Sequence, residues 1–136
     1  MTIELWSLVG CAAVMFLSIA LQGLYTDVTS GLRYVFSTRE EDPPRHGPMG
    51  GRLDRNVRNQ VEGLTMFAPL VLVAAVAGIS NNVTEIAAIV TLISRILFVP
   101  AYAFGLVPFR TIIWSGSFFA VPAFIFGMIM SVGPSF

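Results

Sequence analysis

Long apolar stretches alternate with shorter polar ones along the chain. The apolar stretches cover about residues 3–25, 58–79, 83–107 and 110–132. An α-helix rises about 1.5 Å per residue, so a bilayer core about 30 Å thick needs about 20 residues to span it. Each stretch is long enough. The pattern predicts an all-α membrane protein, with residues 1–136 forming a single domain that is a bundle of four transmembrane helices.

The first connection, at about residues 26–57, is long and polar. Residues typical of turns lie at its centre: Pro43, Pro44, Pro48, Gly50 and Gly51. Such residues favour turns over helix, so this region is predicted to be a loop.

The start of the third span carries a capping signal. Asn82 is followed three residues later by Glu85, as in a capping box, so the third helix is expected to begin near Val83. Pro69 and Pro100 lie inside the second and third spans. Membrane helices tolerate internal prolines where neighbouring helices satisfy the freed backbone groups.

Arginines concentrate on one side of the predicted membrane. All eight basic residues are arginines, six of them lie within residues 26–58, and Arg110 lies in the short link before the fourth span. The other connection and both termini carry none. Positive charge marks cytoplasmic loops. We therefore expect this side to be cytoplasmic and both termini to lie on the opposite side.

Composition supports the membrane assignment and excludes several functions. Only 12% of residues are charged and 55% are hydrophobic, whereas soluble domains average about 25% charged residues. The net charge is zero, so no nucleic-acid partner is predicted. Cys11 is the single cysteine, and its apolar surroundings favour inert packing. His46 has no neighbouring ligand residues, so no metal site is predicted.

One helix face at the start of the second span gathers polar residues. Arg55, Arg58, Asn59 and Glu62 fall at spacings of 0, 3, 4 and 7, which places them on one side of an α-helix. Ionisable residues at the mouth of a membrane helix are costly and indicate a functional site. The alternative is structural: Arg58 and Glu62 form an i,i+4 ion pair, and the arginines fix topology.

The ligand that suits this face can be stated from its chemistry. Arginine offers a planar fork that matches carboxylates. Glu62 can accept from an ammonium group, and Asn59 can both donate and accept. A small peptide with two carboxylates and one amine satisfies all of them. Glutathione is such a molecule.

The third span contributes a second polar face. Arg95, Phe98 and Tyr102 fall at spacings of 0, 3 and 7. Arg95 is deep in the span and needs a partner. Either it lines a ligand site, or it forms a buried ion pair with Glu62. Tyr102 is either an interfacial aromatic or a hydrogen-bond donor to a ligand.

Arg110 lies at the same membrane boundary. In a structural interpretation it is a topology anchor that reaches the lipid headgroups. In a functional interpretation it stabilises a bound thiolate, because a nearby cation lowers the pKa of a thiol and increases the fraction present as reactive thiolate.

Two blocks of sequence resemble a known family. Residues 55–70 read RNVRNQVEGLTMFAPL and are similar to an R-x-x-x-N-x-x-E signature. Residues 94–110 read SRILFVPAYAFGLVPFR and are similar to a block of bacterial members. Through them the chain resembles the membrane-associated proteins in eicosanoid and glutathione metabolism (MAPEG), among them the microsomal glutathione transferases. Phe98 departs from the pattern, since many members have tyrosine there.

The resemblance implies a glutathione-dependent transferase or peroxidase in a bacterial inner membrane. It implies a homotrimer, with glutathione as co-substrate between subunits near the cytoplasmic face and a lipophilic second substrate entering from the lipid bilayer. Arg110 would be the catalytic residue near the sulfur. The residues that would bind glutathione are Arg33, Arg55, Arg58, Asn59, Glu62, Arg95 and Tyr102.

Two other functions are compatible with the residues. A non-catalytic scaffold or regulatory module would use the polar residues for assembly alone. A small transporter would place Arg95 on its pathway, and it would need oligomerisation to enclose a route.

Overall fold

The protein is an all-α bundle whose four long helices are each long and apolar enough to span a membrane. The computed structural model describes residues 1–41 and 47–133. Over these residues the helices are α1 (Ile3–Ser30), α2 (Leu32–Val35), α3 (Gly47–Val76), α4 (Asn82–Ala103) and α5 (Val107–Ser131). No strand occurs in this part of the chain. The predicted fold class is confirmed.

Helix α1 extends beyond the predicted span. It begins after Thr2, whose side chain accepts a hydrogen bond from the backbone N–H of Leu5. It continues past residue 25 to Ser30 and ends at Gly31, whose φ of 81° is one that glycine tolerates best. The first turns of the predicted loop are therefore helical, and α2 follows directly.

Helix α3 begins well before the predicted start at residue 58. Pro48 lies in its first turn, where the backbone N–H that proline lacks has no helical partner to lose. Gly50 and Leu53 are buried against the bundle, and this packing offsets the low helix propensity of Gly50 and Gly51. The predicted turns at Pro48, Gly50 and Gly51 were wrong. The remaining part of that prediction, at Pro43 and Pro44, lies outside the described residues, as does His46.

The α3–α4 and α4–α5 connections are tight. Asn81, not Asn82, caps α4: its side chain accepts from the backbone of Val83 and Thr84, and the Thr84 hydroxyl accepts from the Asn81 backbone. The capping box is thus displaced by one residue from the prediction. At the next connection α4 ends at Ala103, and the turn passes through Gly105, whose φ is 67°. Helix α5 then begins at Val107, ahead of the predicted start at residue 110.

The apolar core lies between α1, α3, α4 and α5. Phe67 and Phe124 are fully buried and meet edge to face, with ring centroids 5.8 Å apart. Cys11 is buried in the same cluster with small residues such as Ala88, which agrees with its predicted role in packing.

Polar contacts hold both ends of the bundle. At one end, which we call the Glu4 end, the buried Glu4 carboxylate accepts from Ser80 at 3.0 Å and from Thr84 at 2.6 Å. At the opposite end, which we call the arginine end, the Gln22 amide donates to Asp54 at 2.8 Å. Helices α3 and α5 start at the arginine end and α4 finishes there. The polar residues that the sequence analysis singles out on these three helices therefore lie in the same half of the bundle.

Candidate functional site

Arg95 is the centre of the polar contacts in the arginine-end half. Its side chain is buried on α4 with only 7% of its surface exposed. One terminal nitrogen, Nη1, donates to the backbone carbonyl of Asn59 at 2.9 Å and to its side-chain Oδ1 at 2.8 Å. The other, Nη2, donates to the Ser117 hydroxyl at 2.7 Å. Arg95 thereby joins α3, α4 and α5 through neutral acceptors.

The neighbouring amide on α3 binds Arg95 in the opposite sense. The Gln60 side chain is fully buried, and its Nε2 donates to the backbone carbonyl of Arg95 at 3.1 Å. Asn59 accepts from the guanidinium while Gln60 donates to the main chain. These two successive residues of α3 hold both the main chain and the guanidinium group of Arg95, so its side chain has little freedom to move.

Gly63 makes room for the guanidinium. A Cβ atom placed on this residue would overlap the Arg95 guanidinium group, with Nη1 only 2.6 Å away. Heavy atoms in ordinary contact lie about 3.5–4.0 Å apart. The absence of a side chain at residue 63 is therefore what lets Arg95 lie flat against α3.

The buried ion pair between Arg95 and Glu62 does not form. In the described part of the chain, the hydrogen-bond acceptors of the guanidinium are Asn59 and Ser117. Glu62 is exposed on the side of α3 that faces away from the core. Its carboxylate accepts no hydrogen bond from Arg95.

A cavity of about 210 Å³ lies beside this cluster, between α3 and α5. Glu62, Asn59 and Arg95 contribute its polar surface. On the α5 side Trp114 and Phe118 stack with ring centroids 4.9 Å apart and planes inclined by 21°. The cavity therefore combines a polar end with an aromatic wall. Its full lining is Asn59, Glu62, Gly63, Met66, Arg95, Trp114, Ser117, Phe118, Val121 and Pro122.

Arg110 and Tyr102 form a second group, where α4 meets α5. The Arg110 guanidinium carbon lies 5.0 Å from the centroid of the Tyr102 ring, which is within cation–π range. The Tyr102 ring in turn packs against Phe98, with centroids 5.0 Å apart. Arg110 precedes Trp114 by four residues, so the two lie on one face of α5, one turn apart.

Comparison with known proteins gives the chain its family. The model of the MAPEG family matches residues 3–130. The chain belongs to the MAPEG family. Searches of curated proteins and of solved structures found no match. The match reaches into all four long helices, so this MAPEG chain is an integral, multi-pass membrane protein.

The MAPEG chain brings some of the predicted site residues together and leaves others apart. Asn59, Glu62 and Arg95 line one cavity, and Tyr102 and Arg110 pack together. The remaining residues are exposed and do not line that cavity: Arg33 on α2, and Arg55 and Arg58 on α3. Arg55 and Arg58 share the outward face of α3 with Glu62.

Sequence reasoning missed several residues of this MAPEG site. Ser117 and Gly63 hold or accommodate Arg95, and Trp114 forms the aromatic wall. Helix α5 has no ionisable residue after Arg110, so no charge pattern marks Ser117. Gln60 adjoins the predicted cluster, but the sequence alone does not show which side of α3 faces the core. In the structure the buried residues recur at heptad spacing along α3, and Gln60 is one of them. Examples are Leu53, Asn56, Gln60 and Phe67.

Proposed function

We propose that this chain is a membrane-embedded, glutathione-dependent transferase or peroxidase. Members of the MAPEG family include glutathione transferases and peroxidases. The observation that supports this function here is the cavity that joins Glu62, Asn59 and Arg95 to the Trp114–Phe118 wall. Such a cavity suits a polar thiol peptide at one end and a lipophilic co-substrate at the other.

The polar residues fit the end groups of glutathione. Glu62 lines the cavity with a carboxylate that accepts no hydrogen bond from a described residue, so it can accept from the ligand ammonium group. Arg55 and Arg58 lie on the same outward face of α3 and offer planar forks for the glycine carboxylate of the peptide. Arg33 and Tyr102 stay in the proposed binding set on the family resemblance alone.

A second copy of the chain completes the proposed site. Ligand pockets usually enclose about 300–1,000 Å³, and the cavity in one chain measures only about 210 Å³. Arg55, Arg58 and Glu62 are exposed on a membrane-spanning helix, where uncovered charge is costly. A homotrimer in which a neighbour covers this face resolves both points and places glutathione between subunits.

Arg110 is the proposed catalytic residue. Its guanidinium would lie beside the sulfur, stabilise the thiolate and so raise its reactive fraction. Trp114 follows one turn further into the membrane, so an electrophile against the aromatic wall would meet the sulfur. This electrophile would be lipophilic and would enter from the bilayer; positioning of the two reactants would supply part of the rate.

We place the arginine end on the cytoplasmic side of a bacterial inner membrane, with both termini opposite. This orientation is supported by the arginines at that end, because arginine-bearing connections remain cytoplasmic. They are Arg33, Arg52, Arg55, Arg58 and Arg110.

A scaffold without catalytic activity is the second candidate. The observation that favours it is that both terminal nitrogens of Arg95 already donate to protein acceptors, as expected of a purely structural residue. It predicts a stable assembly with no affinity for glutathione.

Equilibrium binding of glutathione to detergent-purified protein separates the two candidates. We expect wild type to bind, Glu62→Ala to lose about tenfold or more in affinity, and Thr29→Ala to bind as wild type does. Thr29 is a fair control because it lies on α1, away from the outward face of α3, and its hydroxyl donates only to carbonyls of its own helix. A folded wild type that binds no glutathione contradicts the enzyme proposal.

The role of Arg110 has its own measurement. Bound thiolate absorbs in the ultraviolet, and we expect this signal in wild type at neutral pH. Arg110→Ala should lose it while still binding glutathione. An unchanged thiolate signal in that variant would remove Arg110 from the catalytic role.

A further inference from the structure

The contacts of Arg95 determine which way the Asn59 amide faces. An arginine side chain has only hydrogen-bond donors. The atom of Asn59 that lies 2.8 Å from Arg95 Nη1 must therefore be the oxygen, Oδ1. With the oxygen so engaged, the NH₂ group is what Asn59 can offer to the cavity that it lines. No described residue accepts from this NH₂ group.

A donor thus stands beside an acceptor in the cavity. Asn59 and Glu62 are three residues apart on α3, so they are neighbours on the helix surface. Asn59 supplies N–H donors and Glu62 supplies carboxylate oxygens. An α-amino acid group, with its ammonium and carboxylate on one carbon, complements this pair. Its ammonium donates to Glu62, and its carboxylate accepts from Asn59.

Ser117 binds the other terminal nitrogen of Arg95. Its hydroxyl is 3% exposed and is the described acceptor for Arg95 Nη2. Without it, that nitrogen would be buried and unpaired, which is more costly for a charged group than for a neutral one. The carboxylate that lines the same cavity is that of Glu62. Arg95 would turn to Glu62, release the Asn59 amide and occupy the acceptor that the ligand ammonium needs.

We propose that Ser117 is a positioning residue that, through Arg95, holds the Asn59 NH₂ group toward the cavity and makes the site selective for ligands with an α-amino acid group. The proposal rests on the glutathione site proposed above and names the part of the peptide that this pair recognises. Gly63 takes part by leaving the space that the Arg95 guanidinium fills.

The test compares glutathione with γ-aminobutyryl-cysteinyl-glycine, which lacks only the α-carboxylate of the γ-glutamyl residue. Affinity for both peptides is measured on wild type, Ser117→Ala, Ser117→Thr and Ser115→Ala. Ser115 is the matched control, because its hydroxyl donates to the Thr111 carbonyl of its own helix. Ser117→Thr retains a hydroxyl for Arg95. Ser117→Cys, with a weak acceptor of similar size, replaces the alanine variant if that variant does not fold.

We expect wild type to prefer glutathione by about tenfold or more, as one charge-assisted hydrogen bond implies. The preference should fall to about threefold or less in Ser117→Ala, with weaker glutathione binding, and should persist in Ser117→Thr and Ser115→Ala. If wild type binds and Ser117→Ala keeps the full preference, the positioning role is refuted and the proposed function stands. Binding of neither peptide to wild type refutes the proposed function itself, together with the selectivity.

Discussion

Gly63 is the residue on which the placement of Arg95 depends most directly. A methyl group there would overlap the guanidinium, and overpacking of this kind costs about 1–3 kcal/mol. We expect Gly63→Ala to lower the melting temperature and to abolish high-affinity glutathione binding. Gly23→Ala is the control, because a Cβ on that α1 glycine meets nothing within 4 Å. A Gly63→Ala protein that melts and binds like wild type would show that Arg95 can lie elsewhere without loss.

Tyr102 is the residue that decides how Arg110 is held. Its ring face lies under the guanidinium, and such contacts contribute about 0.5–2 kcal/mol. We expect Tyr102→Phe to retain the thiolate signal of bound glutathione and Tyr102→Leu to reduce it several-fold at a fixed pH. Equal loss in both variants would indicate that the hydroxyl, not the ring, is the working group.

Single residues also show where sequence reasoning stops. Arg95 was correctly expected to need a partner, because charge in a membrane helix is costly. Glu62 was named as one candidate because it is an acid within an apolar span. The actual partners, Asn59 and Ser117, are neutral. Hydrogen-bond geometry selected them, and spacing along one helix carries no information about which residue of another helix lies opposite.

At the scale of elements, hydropathy predicted the four long helices and missed their ends. A run of about 20 apolar residues has few alternatives in a bilayer, which is why the spans could be recognised. The polar beginning of α3 gives no such signal: Pro48 and Gly50 are typical of turns, yet both lie in its first turns. There burial against the bundle outweighs local propensity.

The contacts at the Glu4 end predict a stabilising role that is separate from the site. Glu4 accepts from two hydroxyls, and Thr84 is fully buried. We expect Glu4→Ala to remove this acceptor from Ser80 and Thr84 and to lower the free energy of unfolding by about 1.5–3 kcal/mol, the net contribution of a hydrogen bond to a charged group; Thr84 keeps the Asn81 carbonyl as an acceptor. Glutathione affinity should not change, because the site lies toward the other end of the bundle. Glu85→Ala, which removes a 3.5 Å contact with Ser80 and the acid in the first turn of α4, is the control. Loss of binding in Glu4→Ala would mean that the two ends are coupled.

At the scale of the whole molecule, the outward faces of α3 and α4 differ in chemistry. The exposed part of α4 between Ile86 and Leu97 is apolar and suits lipid. The outward face of α3 carries Arg55, Arg58 and Glu62. Lipid can pack against the apolar face of α4, but it would leave the charges on the outward face of α3 uncompensated. The proposed homotrimer should therefore bury the α3 face and leave α4 toward the bilayer.

Cysteine cross-linking tests this arrangement, since the native Cys11 is buried and will not interfere. We expect Thr65→Cys, on the outward face of α3, to be linked between subunits in membranes by a flexible bis-maleimide, which can bridge the two different surfaces that meet in a trimer. Leu97→Cys, on the apolar face of α4, should not. Native mass spectrometry of wild type in detergent should give three copies. Cross-links through residue 97 alone would place the contact on α4, and a monomer that binds glutathione with full affinity would show that one chain suffices. The charges of Arg55, Arg58 and Glu62 need a neighbouring subunit whether or not glutathione is bound. Cross-linking at residue 65 should therefore not depend on the ligand.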